Sequence, residues 1–196
     1  MTFSDPATQE FLARNFVCAK VNLVPGLLLG GASHHSDELL AQFPEGGGGG
    51  NVRSIFCTSD GQIVSEVKGF WRPDRYREEA TLALRMNDAV SQVLQEVPGA
   101  FTGPSPGLLL GSLWRECVND LHTVRARELE QERADIEAER AKLTEPEPKP
   151  SPWARKIAAL NRMARSHRES IELIHVPVEE YLDRIADEVW TKGNVG

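Results

Sequence analysis

Period-two alternation of apolar and polar residues is clearest at Asn51–Trp71, NVRSIFCTSDGQIVSEVKGFW. Two β-rich runs, Val52–Thr58 and Gln62–Lys68, flank Ser59-Asp60-Gly61. A Gly-containing loop of that length between alternating runs predicts a β-hairpin. A helix is expected next. Pro73 suits a first helical turn, and Tyr76, Ala80, Leu84 and Val90 then recur at helical spacing, with Ala83 and Val93–Leu94 near the same face. Pro98-Gly99 halts the pattern near Val97. Upstream, Ser4 and Asp5 offer an N-cap and Pro6 a first-turn residue. Ala7, Phe11 and Leu12 make a short amphipathic helix to about Asn15. Phe16–Leu23, FVCAKVNL, reads as a strand with Val17, Ala19, Val21 and Leu23 on one side, ended by Val24-Pro25-Gly26.

The remainder reads as helices and linkers. Residues 24–50 are irregular. They include a possible short helix at His34–Phe43 and the Gly46–Gly50 run, which costs too much entropy to be an element. That run is not a phosphate cradle either, because no Gly-Lys-Ser/Thr follows and a strand comes next. Residues 98–111 form a Pro/Gly linker. Pro106–Gly111, PGLLLG, repeats Pro25–Gly30 without wider periodicity, a coincidence of turn and apolar run rather than a duplicated unit. Residues 112–144 make one long charged helix. Its Leu129, Ile136 and Leu143 fall seven apart, but charged intervening positions leave the seam half built, so a solvated helix with i,i+4 pairs is expected. Residues 145–152, rich in proline, are an extended linker. Residues 153–196 form a helical hairpin. Trp153–Arg168 is basic and carries the stripe Trp153, Ile157, Leu160 and Ala164. Val178–Lys192 is acidic, with Val178, Tyr181, Leu182, Ile185 and Val189 on one face. The two are expected to pack together, basic against acidic, with Trp153 and Trp190 as anchors.

Composition narrows the function classes. The chain has 196 residues and a net charge of −7, which disfavours general nucleic-acid binding. No apolar run approaches the roughly 20 residues that span a bilayer. The polar, acidic start shows no signal peptide, and a cytoplasmic location is expected. Cys18, Cys57 and Cys117 are odd in number, widely separated and without metal-type spacing, so neither a disulfide framework nor a metal site follows.

Candidate chemistry is sparse. Cys18 and Cys57 fall in neighbouring predicted strands and could form a redox pair, although small apolar core positions are the commoner role of strand cysteines. His34-His35 with Asp37 and Glu38 could begin a metal site, but adjacent loop histidines point apart and no third ligand is spaced usefully. His122, His167 and His175 stand alone, with no Ser or Cys partner for a nucleophilic triad. The dense charge of Asp74–Glu79 reads as capping and solvating the first helical turns. No cofactor is implied.

TFSDPATQEFLARNFVCAKVNL, followed by RSIFCTSDGQIVSEVKGFWRPDRYREEATLAL, resembles thioredoxin-like domains of the thiol:disulfide interchange type over residues 2–95. The resemblance implies an α/β domain at 1–97 with a partial, three-stranded sheet and flanking helices, followed by the α-helical extension. Phe16–Leu23 would be the third strand of that fold and the hairpin its C-terminal pair. The chain starts after the point where the family's CxxC would lie, and Val52 stands where its cis-proline would. Dithiol exchange needs a thiolate of lowered pKa and a resolving thiol. The resemblance without those groups implies a redox-inactive module that binds a protein partner or itself through the sheet edge or the C-terminal helices. The alternative is a thiol-disulfide oxidoreductase whose CxxC half is missing from this chain. A missing strand leaves a sheet edge that needs a substitute strand or a second chain.

Overall fold

The computed structural model describes residues 2–19, 21, 52–69, 71–96, 106–143, 151–174 and 176–193. After a single 3-10 turn at Thr2–Ser4, helix α1 spans Pro6–Asn15, strand β1 Arg53–Cys57 and strand β2 Ile63–Lys68. Helix α2 then spans Pro73–Glu96, α3 Pro106–Ala141, α4 Pro152–Leu173 and α5 Val178–Gly193. Among the described residues the architecture is mostly helical around one two-stranded antiparallel sheet.

That corrects the expected three-stranded, thioredoxin-like sheet. The predicted strand at Phe16–Leu23 is not formed by its described residues, 16–19 and 21, which follow α1 as irregular chain. The apolar alternation that suggested burial is instead open to solvent. Val17 is fully exposed and Val21 is 57% exposed. The helix signals at α1 do hold. The Asp5 carboxylate accepts from the Thr8 N–H and hydroxyl, and Arg77 of α2 donates to both Asp5 and Thr8. Phe16 closes α1 by donating its N–H to the Leu12 carbonyl, and its ring packs on Phe56 of β1.

The hairpin turns through Gly61, whose φ of 81° is left-handed backbone that a side chain would strain. The Gly61 carbonyl also accepts from the Val178 N–H, which fixes the start of α5 against the turn. Register runs from Arg53↔Lys68 to Phe56↔Ser65 and then slips to Cys57↔Ile63. Val64 therefore stands opposite no β1 residue, as in a β-bulge.

The helices meet differently from the sequence reading. α3 starts at Pro106, inside the expected 98–111 linker, because proline at a first helical turn gives up an N–H that would have no partner anyway. α4 lies antiparallel along α3 rather than against α5. α4 does meet acids, but they belong to α3: Arg168 pairs with Glu130, and Lys156 reaches Glu132 at 4.0 Å. Leu129 and Ile136 are buried, while Leu143 is exposed, so the seam ends after two heptad positions. These side chains join Val64, Met86, Leu160 and Met163 in the main core. Trp153 packs against the edge of that core rather than against α5, and Trp71 is buried with its Nε1–H donating to Lys68 O. α5 covers a second cluster, where Tyr181, Ile185 and Val176 enclose Ile63.

β2 is buried nearly throughout, and α4 seals its outer edge with side chains. The Glu66 N–H donates to Ser170 Oγ at 3.2 Å, and Ser166 Oγ donates to the Glu66 carbonyl at 2.8 Å. Residues 166 and 170 lie one turn apart on one helix face. Replacing Ser170 by Ala strands a buried N–H, so we expect a loss of about 1–3 kcal/mol in urea unfolding. The Ser166→Ala, Ser170→Ala double variant should lose more. A loss near zero for both would show that the strand edge does not need these hydroxyls.

Candidate functional site

The strongest concentration of titratable groups lies where α2, α3 and α4 meet the β2 edge. His122 of α3 places Nε2 at 2.8 Å from the carbonyl of Val64, the residue that the register slip leaves opposite no β1 residue. A carbonyl only accepts, so His122 carries its proton on Nε2. Its Nδ1 lies 2.9 Å from Nδ1 of His167 on α4. His167 Nε2 lies 2.8 Å from Glu79 Oε2 on α2, and Arg125 of α3 donates through Nε and Nη2 to Glu79 Oε1 at 3.1 and 2.7 Å. His122, Glu79 and His167 are no more than 3% exposed.

Each residue is here for a local reason. His122 follows Val118 by one turn on the buried face of α3, and Ala126 and Leu129 continue that face. His167 follows Met163 by one turn on α4, and Ser170 comes one turn later. Glu79 sits between Tyr76 and Ala83 on the apolar face of α2. The reading of Asp74–Glu79 as a solvated charge cluster therefore fails at its last member. An acid at i+3 from one apolar residue and i−4 from another was the available signal. His122 and His167 are alone in sequence, 45 residues apart, and only the α3–α4 pairing joins them.

Electrostatics favour an ionised Glu79 and a neutral His122. Burial opposes the Glu79 charge, but His167 and Arg125 outweigh it and hold the carboxyl below its usual range. Burial, and then the neighbouring His167, hold His122 below the ordinary imidazole range. Burial also opposes the Arg125 charge, and Glu79 more than offsets it, so the guanidinium holds its proton even more firmly than usual.

A second charged cluster surrounds Glu66, which is buried on β2. Tyr181 of α5 donates to Glu66 Oε2 at 2.9 Å, Arg53 reaches Oε1 at 3.3 Å, and Lys68 bridges Glu66 and Glu169. Arg53 also donates to the Tyr181 hydroxyl oxygen at 2.9 Å. Burial and the adjacent Glu66 push the Tyr181 phenol up.

The sequence-predicted site residues lie elsewhere. Cys18 and Cys57 are exposed, not core positions, and Cys117 is half-buried; all three are free thiols. Desolvation by the surrounding protein pushes the Cys57 thiol up to about 11. His34 and His35 lie outside the described residues. Among the described residues no group of three or more His, Cys, Asp or Glu is arranged to hold a metal, and no helix is long and apolar enough to cross a membrane. Comparison with family models, curated proteins and solved structures finds no match for this chain.

Two outcomes follow. Cys57 should alkylate more slowly near neutral pH than a thiol of ordinary pKa, since desolvation disfavours its thiolate. Iodoacetamide labelling with peptide mapping reads this, and a fast Cys57 would contradict it. Acid should also unfold the protein by linkage. His122 and Glu79 both hold depressed values in the fold, so the unfolded chain binds more protons as pH falls. Stability should drop from about pH 6.5 downward, first through His122 and then through Glu79. Melting temperatures between pH 7 and pH 4 measure this, and a flat profile would refute it.

Proposed function

We propose that this chain is a non-catalytic protein-interaction module that self-associates through the non-helical segment after α1. One observation carries the reading. Val17 is fully exposed and Val21 is 57% exposed on a segment that Phe16 pins to β1. Two open β-branched residues on an anchored, non-helical stretch suit pairing with another chain in extended form. A second copy is the simplest partner, since a two-fold contact uses one patch twice. The groups best suited to acid–base chemistry, Glu79, His122 and His167, are sealed in the core and bonded to one another, which supports a structural role for them. Three free thiols suit the reducing cytoplasm that we assign to the protein.

Cys18 lies between the two valines and reports on the contact. Sedimentation velocity should show an oligomer whose fraction rises with concentration, and mild oxidation should link two copies through Cys18. Val17→Asp with Val21→Asp should shift dissociation to at least tenfold higher concentration while leaving the melting temperature nearly unchanged, because both side chains are already in water. A monomer at every concentration, with no Cys18 cross-link, would overturn the proposal.

A further inference from the structure

His122 Nε2 must carry a hydrogen, because it faces the Val64 carbonyl at 2.8 Å. His167 Nε2 must carry one if Glu79 is ionised, because a carboxylate only accepts. If both rings were neutral, each would then have a bare Nδ1. Two lone pairs would face each other at 2.9 Å, which is a hydrogen-bond distance and not a repulsive one. A third hydrogen has to lie between them.

We infer that His122 and His167 hold one buried proton between their Nδ1 atoms, so that the pair is a single imidazole–imidazolium unit neutralised by Glu79 and locking α3, α4 and β2 together. His167 is the ring that faces the carboxylate, so the imidazolium charge is centred there and His122 accepts from it. The proton belongs to the set of three groups rather than to one residue.

The surroundings fit this charge state. From α2 the network meets Glu79, with Glu78 one residue away on Arg125. From α3 it meets Arg125, which also pairs with Glu128. From α4 it meets His167 itself, and the neighbouring Ser170 is taken by the Glu66 N–H. From β2 it meets the Val64 carbonyl, while the Glu66 carboxylate is engaged by Tyr181, Arg53 and Lys68. Glu79 thus receives Arg125 on one oxygen and the imidazolium on the other.

A metal ion between the two nitrogens is the chemical rival, because each ring has the outer hydrogen bond that metal-binding histidines use. The spacing argues against it. Zinc bonds of 2.0–2.1 Å at a tetrahedral angle hold two nitrogens about 3.3 Å apart, and a zinc site needs further ligands. The nitrogens are 2.9 Å apart, and no third protein ligand joins them among the described residues.

Losing the proton would set two lone pairs against each other. Adding another would set two imidazoliums against each other. Either change would loosen the attachment of the α3–α4 pair to β2.

The test uses the full chain with 15N-labelled histidine and with His34, His35 and His175 replaced by Asn, leaving only the pair. Nitrogen–proton correlation spectra at pH 7 should find three hydrogens on the four ring nitrogens: one on each Nε2 and one shared by the Nδ1 atoms, with slow exchange into D2O. Glu79→Gln should remove the third hydrogen at the same pH. Two hydrogens in the parent chain, or four, would overturn the inference. So would a parent spectrum that changes on adding EDTA, which would place a metal between the rings. Retention of the third hydrogen in folded Glu79→Gln would overturn the assignment of Glu79 as its counter-charge. If that variant does not fold, the count in the parent chain decides.

Discussion

The outer edge of β2 sets the terms for the rest of the structure. A buried strand edge presents backbone groups that need partners. In a larger sheet another strand would supply them. Here the Val64 carbonyl, the Glu66 N–H and the Glu66 carbonyl are met by His122, Ser170 and Ser166. Side chains bond only from one distance and one angle, so this solution locks the register of two helices. Sliding α4 by a turn would break Ser166, Ser170 and His167 from their partners together. Burial of Leu129, Ile136 and Met163 supplies the attraction between α3 and α4, but apolar contacts alone tolerate sliding. The hydroxyls and the imidazoles select one position.

This solution brings buried charge with it. His122 can reach the strand only from inside the core, and its second nitrogen then needs a partner there. His167 supplies it, and needs Glu79 in turn. Glu79 is tolerable because His167 meets one of its oxygens from α4 and Arg125 the other from α3. Removing one member of such a chain leaves an uncompensated buried group, at a cost of about 3–5 kcal/mol where that group is charged. Glu66 repeats the logic on α5, with Tyr181, Arg53 and Lys68 around it. Each buried acid thus ties together elements far apart in sequence, and each tie is directional. The two acids do for the placement of α4 and α5 what extra strands would have done for an open sheet.

Local signals were legible in the sequence, and partnerships were not. The Asp5 cap, the hairpin around Gly61, the Pro73 start and the two C-terminal helices each depend on a few adjacent residues, and all are present. The strand expected at Phe16–Leu23 rested on alternation, which cannot tell an extended segment laid open from one laid into a sheet. The expected pairing of α4 with α5 rested on opposite charge, which α3 offers equally through Glu130 and Glu132. Glu79, His122 and His167 were hardest to find, because a hydropathy pattern counts them as interruptions of an apolar face. Their meaning appears only when three helices bring the interruptions to one place.

The closure of β2 also limits how the sheet can grow. With its outer backbone groups taken by His122, Ser166 and Ser170, no further strand can join on that side without displacing α4 and opening the core. Any added strand must come to β1, whose residues are less buried than those of β2. The Phe16 ring already rests on Phe56 of that strand, and the chain leaves Phe16 with Val17 and Val21 in water. One side of the sheet is therefore finished by side chains that cannot be exchanged for backbone. The other side lies beside an apolar stretch that an arriving strand could cover at little cost to the existing packing. That asymmetry makes β1 the side of the sheet whose packing an added strand would disturb least.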